Sequence, residues 1–271
     1  MTVLAISSQV VAGHVGNSAA QPVLQMLGHE VWALPTALLS HHPGHGLPVR
    51  RVTPAADLHH MFESLMEGGW LDNVNAVMTG YFAEPEQVEA VASFLMQIKH
   101  RHPDVTILVD PIMGDQGSLY IAEAVAHAVV HDLTPHATIL TPNLFELARM
   151  TPVADNAGAA DIEAAARSLG MPEVVVTSTP GGGADMIGTL AVCGDEVHRI
   201  ENPRRKTVPN GVGDVAAGAY LGHRLNGRTM AEALTATVTL VDQLITLAGT
   251  TSSRDLPLAA GRNAIIGTDA G

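Results

Sequence analysis

The chain is 271 residues long and carries 14 Lys and Arg against 27 Asp and Glu, a formal net charge of −13. That balance argues against nucleic acid or an anionic membrane as a partner, because phosphate backbones and acidic headgroups attract surplus cations. With 46% hydrophobic and 15% charged residues the chain is globular, not disordered, and long enough to bury a substantial core.

A short apolar run at 3–6 reads as the first strand. It ends in Ser7-Ser8-Gln9 and leads through Gly13-His14-Val15-Gly16-Asn17 into a small-residue helix. The glycine spacing there is not a dinucleotide fingerprint. Runs at 30–34, 76–78, 105–109, 138–140, 174–176 and 189–192 read as further strands. Several are continuously apolar, as in a mostly parallel sheet covered on both faces. Thr53-Pro54 starts a helix that Gly68-Gly69 stops, and 85–98 and 162–169 give two more. Two long helices near 212–225 and 230–247 hinge at Asn226-Gly227. Loops are expected at 40–51, rich in His, Pro and Gly, and at 178–186, with fraying over roughly the last ten residues. The alternation predicts an α/β three-layer sandwich with right-handed crossovers, one domain over 1–271. Cys193 is the sole cysteine, the N-terminus lacks a basic n-region, and no run approaches the roughly 20 apolar residues that span a bilayer. A cytoplasmic location is therefore expected.

The sharpest local signal for chemistry is Pro209-Asn-Gly-Val-Gly-Asp214 ahead of a small-residue helix. A glycine turn at a helix N-terminus brings backbone N–H groups and a favourable partial charge to an anion. Asp214 falls in the first turn, where an acid is at the least a dipole partner. Beside an anion hole it can also take a proton from an attacking hydroxyl. A second cluster follows two strands: Asp110-Pro-Ile-Met-Gly-Asp115, and Thr141-Pro-Asn143 with Glu146. Ligands of parallel sheets bind beyond the carboxyl ends of strands, and two aspartates, a threonine and a glutamate there suit a hard cation carrying phosphate oxygens. Turn and cap chemistry would use the same residues, with Asn143 capping the helix that holds Glu146. Thr177-Ser178 follows another strand and offers hydroxyls to a phosphate chain. The histidines, among them His41, His42 and His45, show no metal-ligand spacing and read as surface or lid residues.

In this order the motifs resemble the pyridoxal kinases of the ribokinase-like superfamily. The resemblance runs from Ser7-Ser-Gln-Val-Val-Ala-Gly-His-Val-Gly-Asn-Ser through Thr79-Gly-Tyr81, Asp110–Asp115, Thr141–Glu146 and Val176-Thr-Ser178 to Asn210–Asp214, nearly the whole chain. It implies a ribokinase-like fold and ATP-dependent phosphorylation of the 5′-hydroxymethyl group of pyridoxal, with pyridoxine and pyridoxamine as further substrates. Carried over by motif, Asp214 is the base that also meets the substrate, and Gly211, Val212 and Gly213 supply the anion hole. Asp110, Asp115, Thr141 and Glu146 map to the region of Mg2+, a monovalent cation such as K+, and ATP. Thr177 and Ser178 meet phosphates, and Ser8 and Tyr81 line the pyridine pocket. The residues 40–51 form a lid, and a homodimer is usual.

The sequence departs from the family in its substrate loop. Leu39 stands where an aromatic packs on the ring, and Pro43 where a threonine hydroxyl meets the substrate. Losing the aromatic contact costs about 0.5–1.5 kcal/mol and losing a hydrogen bond about as much, together a tenfold to hundredfold weakening on the order-of-magnitude scale. Two other readings stay open at this level. One is a kinase of this fold for another hydroxymethyl heterocycle such as hydroxymethylpyrimidine, whose kinases usually carry Cys where Asp214 stands. The other is a B6-binding protein without turnover.

Overall fold

The computed structural model describes every residue except Asp155, Ser252, Ser253 and 268–271. Its strands are β1 (Thr2–Ala12), β2 (Glu30–His41), β3 (Arg50–Val52), β4 (Val74–Thr79), β5 (Thr106–Val109), β6 (Gly114–Asp115), β7 (Ser118–Leu119), β8 (Ile139–Leu140), β9 (Glu173–Pro180), β10 (Met186–Cys193) and β11 (Glu196–Pro203). The helices are α1 (Asn17–Met26), α2 (Ala55–Glu67), α3 (Pro85–Arg101), α4 (Glu123–Ala128), α5 (Leu144–Met150), α6 (Ala159–Ser168), α7 (Val212–Leu225), α8 (Met230–Thr251) and α9 (Arg262–Gly267).

Nine strands form one sheet in the order β11-β10-β9-β8-β5-β4-β1-β2-β3, while β6 and β7 make a separate hairpin. From β9 to β2 neighbouring strands are parallel, and β3, β10 and β11 add antiparallel edges. Alternation along the strands divides the core into two layers. Leu4, Ile6, Val77, Ile107 and Val109 pack with Leu58 and Phe62 of α2, Phe94 and Leu95 of α3, and Leu147 of α5. Val3, Ala5, Met78 and Leu108 face the other way, onto Leu24 of α1, Tyr220 and Leu221 of α7, and Leu234 of α8. On the first face Phe62 and Phe94 stack with ring centroids 4.0 Å apart, an arrangement that contributes about 0.5–1.5 kcal/mol beyond area. The sandwich with helices on both faces is thus the observed architecture.

Several elements differ from the sequence expectation. Ser7, Ser8 and Gln9 do not end the first strand. Pairing of β1 with β4 stops at Ile6, but pairing with β2 continues through an irregularity between Ser7 and Gln9 as far as Ala12. Ser40 and His41 finish β2 and Arg50 opens β3, so only 42–49 lies outside strands, with a single 3-10 turn at Pro43–His45. Ser178 to Pro180 likewise finish β9 and Met186 opens β10. Helix α9 occupies much of the tail expected to fray, held by buried Ile265, and residues 268–271 lie outside the described ones. Helix α8, with a mean hydropathy of 1.3 over its apolar window, is long and apolar enough to cross a membrane by those criteria alone. Its buried Ala233, Leu234, Leu240 and Leu244 use that apolarity in the core.

Candidate active site

Three features of the parallel sheet converge at its carboxyl edge. Where β5 ends, the Asp110 amide bonds the Thr79 carbonyl at 3.0 Å, and where β8 ends, the Thr141 amide bonds the Val109 carbonyl at 3.1 Å. These main-chain bonds carry the sheet's ladder one residue past the strands and leave both side chains at the rim. Both are buried. Asn143 then caps α5, its side chain accepting from the Glu146 N–H at 2.9 Å while Glu146 Oε2 accepts from the Asn143 N–H at 2.8 Å. The other oxygen of Glu146 accepts from the Met113 N–H at 2.9 Å, with the Gly114 N–H at 3.5 Å. Glu146 therefore pins the loop that descends from Asp110.

Burial is the dominant electrostatic fact here. It raises Asp110 well above the usual carboxylate range, and the negative charges of Glu146 and then Asp214 push it further. Burial also lifts Glu146 to about 8 against the pull of its three amide donors. The buried Thr141 hydroxyl lies beside Asp110, and its side-chain hydrogen bond favours the charged carboxylate against these effects. Crowded, desolvated acids are the chemistry a hard cation relieves. Among the described residues no three His, Cys, Asp or Glu side chains gather closely enough to hold a metal ion by themselves. Both oxygens of Glu146 are engaged by backbone, and Asp115, half-buried in the β6–β7 hairpin, spends Oδ1 on the Gln116 N–H at 2.8 Å.

The glycine turn faces this cluster. Gly211 takes φ 84°, and a Cβ on it would sit 1.9 Å from the His14 carbonyl oxygen. Gly16 takes φ 55°, and its Cβ would meet the Ser8 carbonyl at 2.2 Å. Only glycine at both places lets the 13–16 loop press onto the turn. That contact brings the Gly16 N–H toward the Asp214 carboxylate. Asp214 is half-buried in the first turn of α7, and burial raises it to about 6 although the N–H groups of Gly16 and of Asp214 itself favour its charge. No described residue accepts a hydrogen bond from the N–H groups of Gly211, Val212 or Gly213. An acid able to accept a proton near neutrality thus stands beside three amides free for an anion.

The remaining sequence candidates are distributed around this centre. Thr177 lies in β9, its N–H on the Pro142 carbonyl at 2.9 Å, and Ser178 is exposed at φ 59°, a local break in the strand. Ser8 is buried at the irregularity of β1. Tyr81 donates its N–H to Ser7 Oγ at 3.0 Å, and its ring packs with Val10, Val15, Ala37 and buried Leu39. Pro43 is exposed. Sequence reasoning missed Gly16 as a partner of Asp214, and missed Asn17, whose Nδ2 donates to the Ser7 and Leu34 carbonyls while Oδ1 stays buried and unpartnered. Polar Asn17 at the head of an apolar helix was the available signal.

The family model described as phosphomethylpyrimidine kinase matches residues 36–258. The pyridoxal kinase PdxY of Corynebacterium diphtheriae is 33% identical over 270 residues, covering 98% of this chain and 95% of that protein. The PdxY of Rubrobacter xylanophilus is 31% identical over 98% and 94%. Among solved structures, the pyridoxal kinase of Leishmania donovani in complex with ADP and pyridoxine superposes with a TM-score of 0.90 at 28% identity, over 97% of this chain and 95% of that one. The pyridoxal kinase of Entamoeba histolytica gives 0.91 at 25% identity, over 98% and 96%.

Proposed function

The chain belongs to the pyridoxal kinase family, and on that premise we propose that it transfers the γ-phosphoryl group of ATP to the 5′-hydroxymethyl group of pyridoxal, giving pyridoxal 5′-phosphate in vitamin B6 salvage. Pyridoxine and pyridoxamine, bound with ADP by the Leishmania relative, are the further alcohols to test. The observation that carries this reading is Asp214, raised to about 6 by burial and set beside the free amides of Gly211, Val212 and Gly213.

In the proposed reaction the Asp214 carboxylate accepts the hydroxymethyl proton as the alcohol oxygen attacks the γ-phosphorus in line, and the bond to the β–γ bridging oxygen breaks to release ADP. The turn amides meet the oxygens of the transferring group, where the α7 N-terminus adds a favourable field. Thr177 and Ser178 offer hydroxyls to the phosphate chain. Leu39 and Tyr81 form the apolar wall for the ring, with Ser8 at its polar edge. Mg2+ fits the donor chemistry of Asp110, a buried carboxyl crowded by Glu146 and Asp214, and would supply charge neutralisation for the phosphates. Glu146 holds the Asp110–Gly114 loop in place by its backbone bonds. We further propose one kinase domain with residues 42–49 as its lid, activation by K+, and a cytoplasmic homodimer.

The test is a coupled ATP-consumption assay over the three B6 vitamers and hydroxymethylpyrimidine. A higher kcat/KM for the pyrimidine than for every vitamer overturns the substrate assignment. Full activity of Asp214→Asn overturns the mechanism.

A further inference from the structure

Three separate segments meet at Asp255. The His45 ring places Nε2 3.1 Å from Asp255 Oδ1. A Cβ on Gly13 would lie 3.1 Å from Asp255 Oδ2, so the 13–16 loop touches the same carboxylate. Asn210 forms an isolated bridge with Asp255 and donates its N–H to the Arg254 carbonyl at 2.9 Å. The Asn210 amide nitrogen is also 3.4 Å from His45 Nε2. Asn210 immediately precedes Gly211, and the 13–16 loop delivers Gly16 to Asp214. His45 therefore reaches both segments that shape the catalytic turn, the 13–16 loop through the Asp255 carboxylate and Asn210 through the backbone of Arg254 and Asp255.

The strap carrying His45 has few other holds. Ser40 Oγ accepts from the Val49 N–H at 3.0 Å and closes its base, and His42 Nδ1 accepts from the Gly44 N–H at 3.1 Å within the turn itself. Leu47 is 98% exposed and Val49 67%, so apolar burial does not anchor the strap tip. One ring nitrogen cannot donate to a carboxylate and accept from an amide N–H at once. The shorter contact fixes Nε2–H of His45 as donor to Asp255, and an Asn210 amide turned over would present its oxygen instead.

We propose that His45 is a positioning residue for phosphoryl transfer: its bond to Asp255 ties the substrate strap to the Asn210–Gly211 turn, so that the alcohol is held against Asp214 when the tie is made. The inference rests on the kinase reading above. A hydrogen bond to a charged group is worth enough to change binding about tenfold. His45→Ala should raise the KM for pyridoxal by about that factor while leaving the KM for ATP within about twofold. His45→Gln, whose amide still donates to Asp255, should recover most of the loss. The double variant His45→Ala with Asp255→Ala should lose less than the sum of the two single losses, because both remove the same tie. Amide hydrogen exchange over 41–49, read without substrate, should quicken in His45→Ala and stay near the unmodified rate in His45→Gln. Unchanged exchange over 41–49, additive losses in the double variant, or a change confined to the KM for ATP each overturn the tie. The kinase reading fails by a different result, an unmodified chain that consumes no ATP with any B6 vitamer, while the exchange experiment still judges the tie.

Discussion

The transfer end and the substrate end of the cleft are built on different principles. Asp110, Thr141 and the 13–16 loop are fixed mainly by main-chain groups, ladder bonds at the ends of β5 and β8 and glycine contacts that admit no side chain, with the Glu146 side chain as the one exception. The strap over 42–49 has local main-chain bonds, but its tie to the catalytic turn is the side chain of His45, and much of it is exposed. Backbone bonds persist under most substitutions, whereas side-chain bonds vanish with one. Such a molecule keeps its phosphoryl-transfer geometry while its choice of alcohol is open to change. The departures at Leu39 and Pro43 fall on the adjustable end.

The largest effect belongs to the fixed end. Asp214→Asn should lower kcat for pyridoxal by about 10²- to 10⁴-fold, the usual range for a general base, with the KM for ATP little moved. In the unmodified chain kcat/KM should fall as pH drops through about 6, where the carboxylate protonates. The stability effect has the opposite sign. Burial raises Asp214 in the folded state, so its favourable contribution is complete below the unfolded carboxylate range and disappears as pH rises through about 6. Thermal unfolding above pH 7 should therefore show Asp214→Asn at least as stable as the unmodified chain. A variant both inactive and unfolded would place Asp214 in the structural frame and erase the contrast between the two ends.

Glu146→Ala comes next. It strands the Met113 and Asn143 N–H groups and removes a capping box, a loss of about 1–3 kcal/mol that denaturant unfolding would register. Activity should fall about tenfold or more through displacement of Asp110, by the rule that small misplacements of reacting groups are costly. An unaltered unfolding midpoint would mean that the loop holds itself without Glu146.

How far the sequence disclosed these two ends follows from where their forces act. The inner strands were legible because burial on both faces makes 107–109 and 174–176 continuously apolar. β11 was not, since Glu196, His198, Arg199 and Glu201 line a half-exposed edge strand joined to β10 by a two-residue turn. β3 is three residues long and two of them are arginines. Asp110, Thr141 and Asp214 were visible because Pro and Gly punctuate the chain beside them, and the Asn143 cap was readable three residues from Glu146. The Gly16 N–H meeting Asp214 and the His45–Asp255 bond join residues about two hundred positions apart, with no local pattern to announce them. Packing alone decides such contacts.

On the adjustable end, Leu39→Phe with Pro43→Thr should lower the KM for pyridoxal up to about tenfold, by adding an aromatic contact and a hydroxyl, and should leave the KM for ATP unchanged. Leu39 is buried among Val10, Val15, Ala37 and Tyr81, so the larger ring must find room toward the cleft. A variant with a lower melting temperature and no gain in KM would show that this cluster is filled from within and is not a wall for the substrate ring.

The smallest effect separates the two faces of Tyr81. Its ring packs against the Val10, Val15, Ala37 and Leu39 cluster, while its hydroxyl meets the exposed Arg50 guanidinium at 3.5 Å. A long, solvated contact of that kind contributes little, about 0–1 kcal/mol. Tyr81→Phe should therefore keep the KM for pyridoxal within about twofold, because the ring and its apolar packing survive. Steady-state kinetics at low and high salt check the point, since a contact through Arg50 would weaken as salt screens it. A Tyr81→Phe loss beyond about tenfold at both salt concentrations would mean that the phenol oxygen itself meets the substrate, and would make the strap end depend on a fixed polar group as the transfer end does.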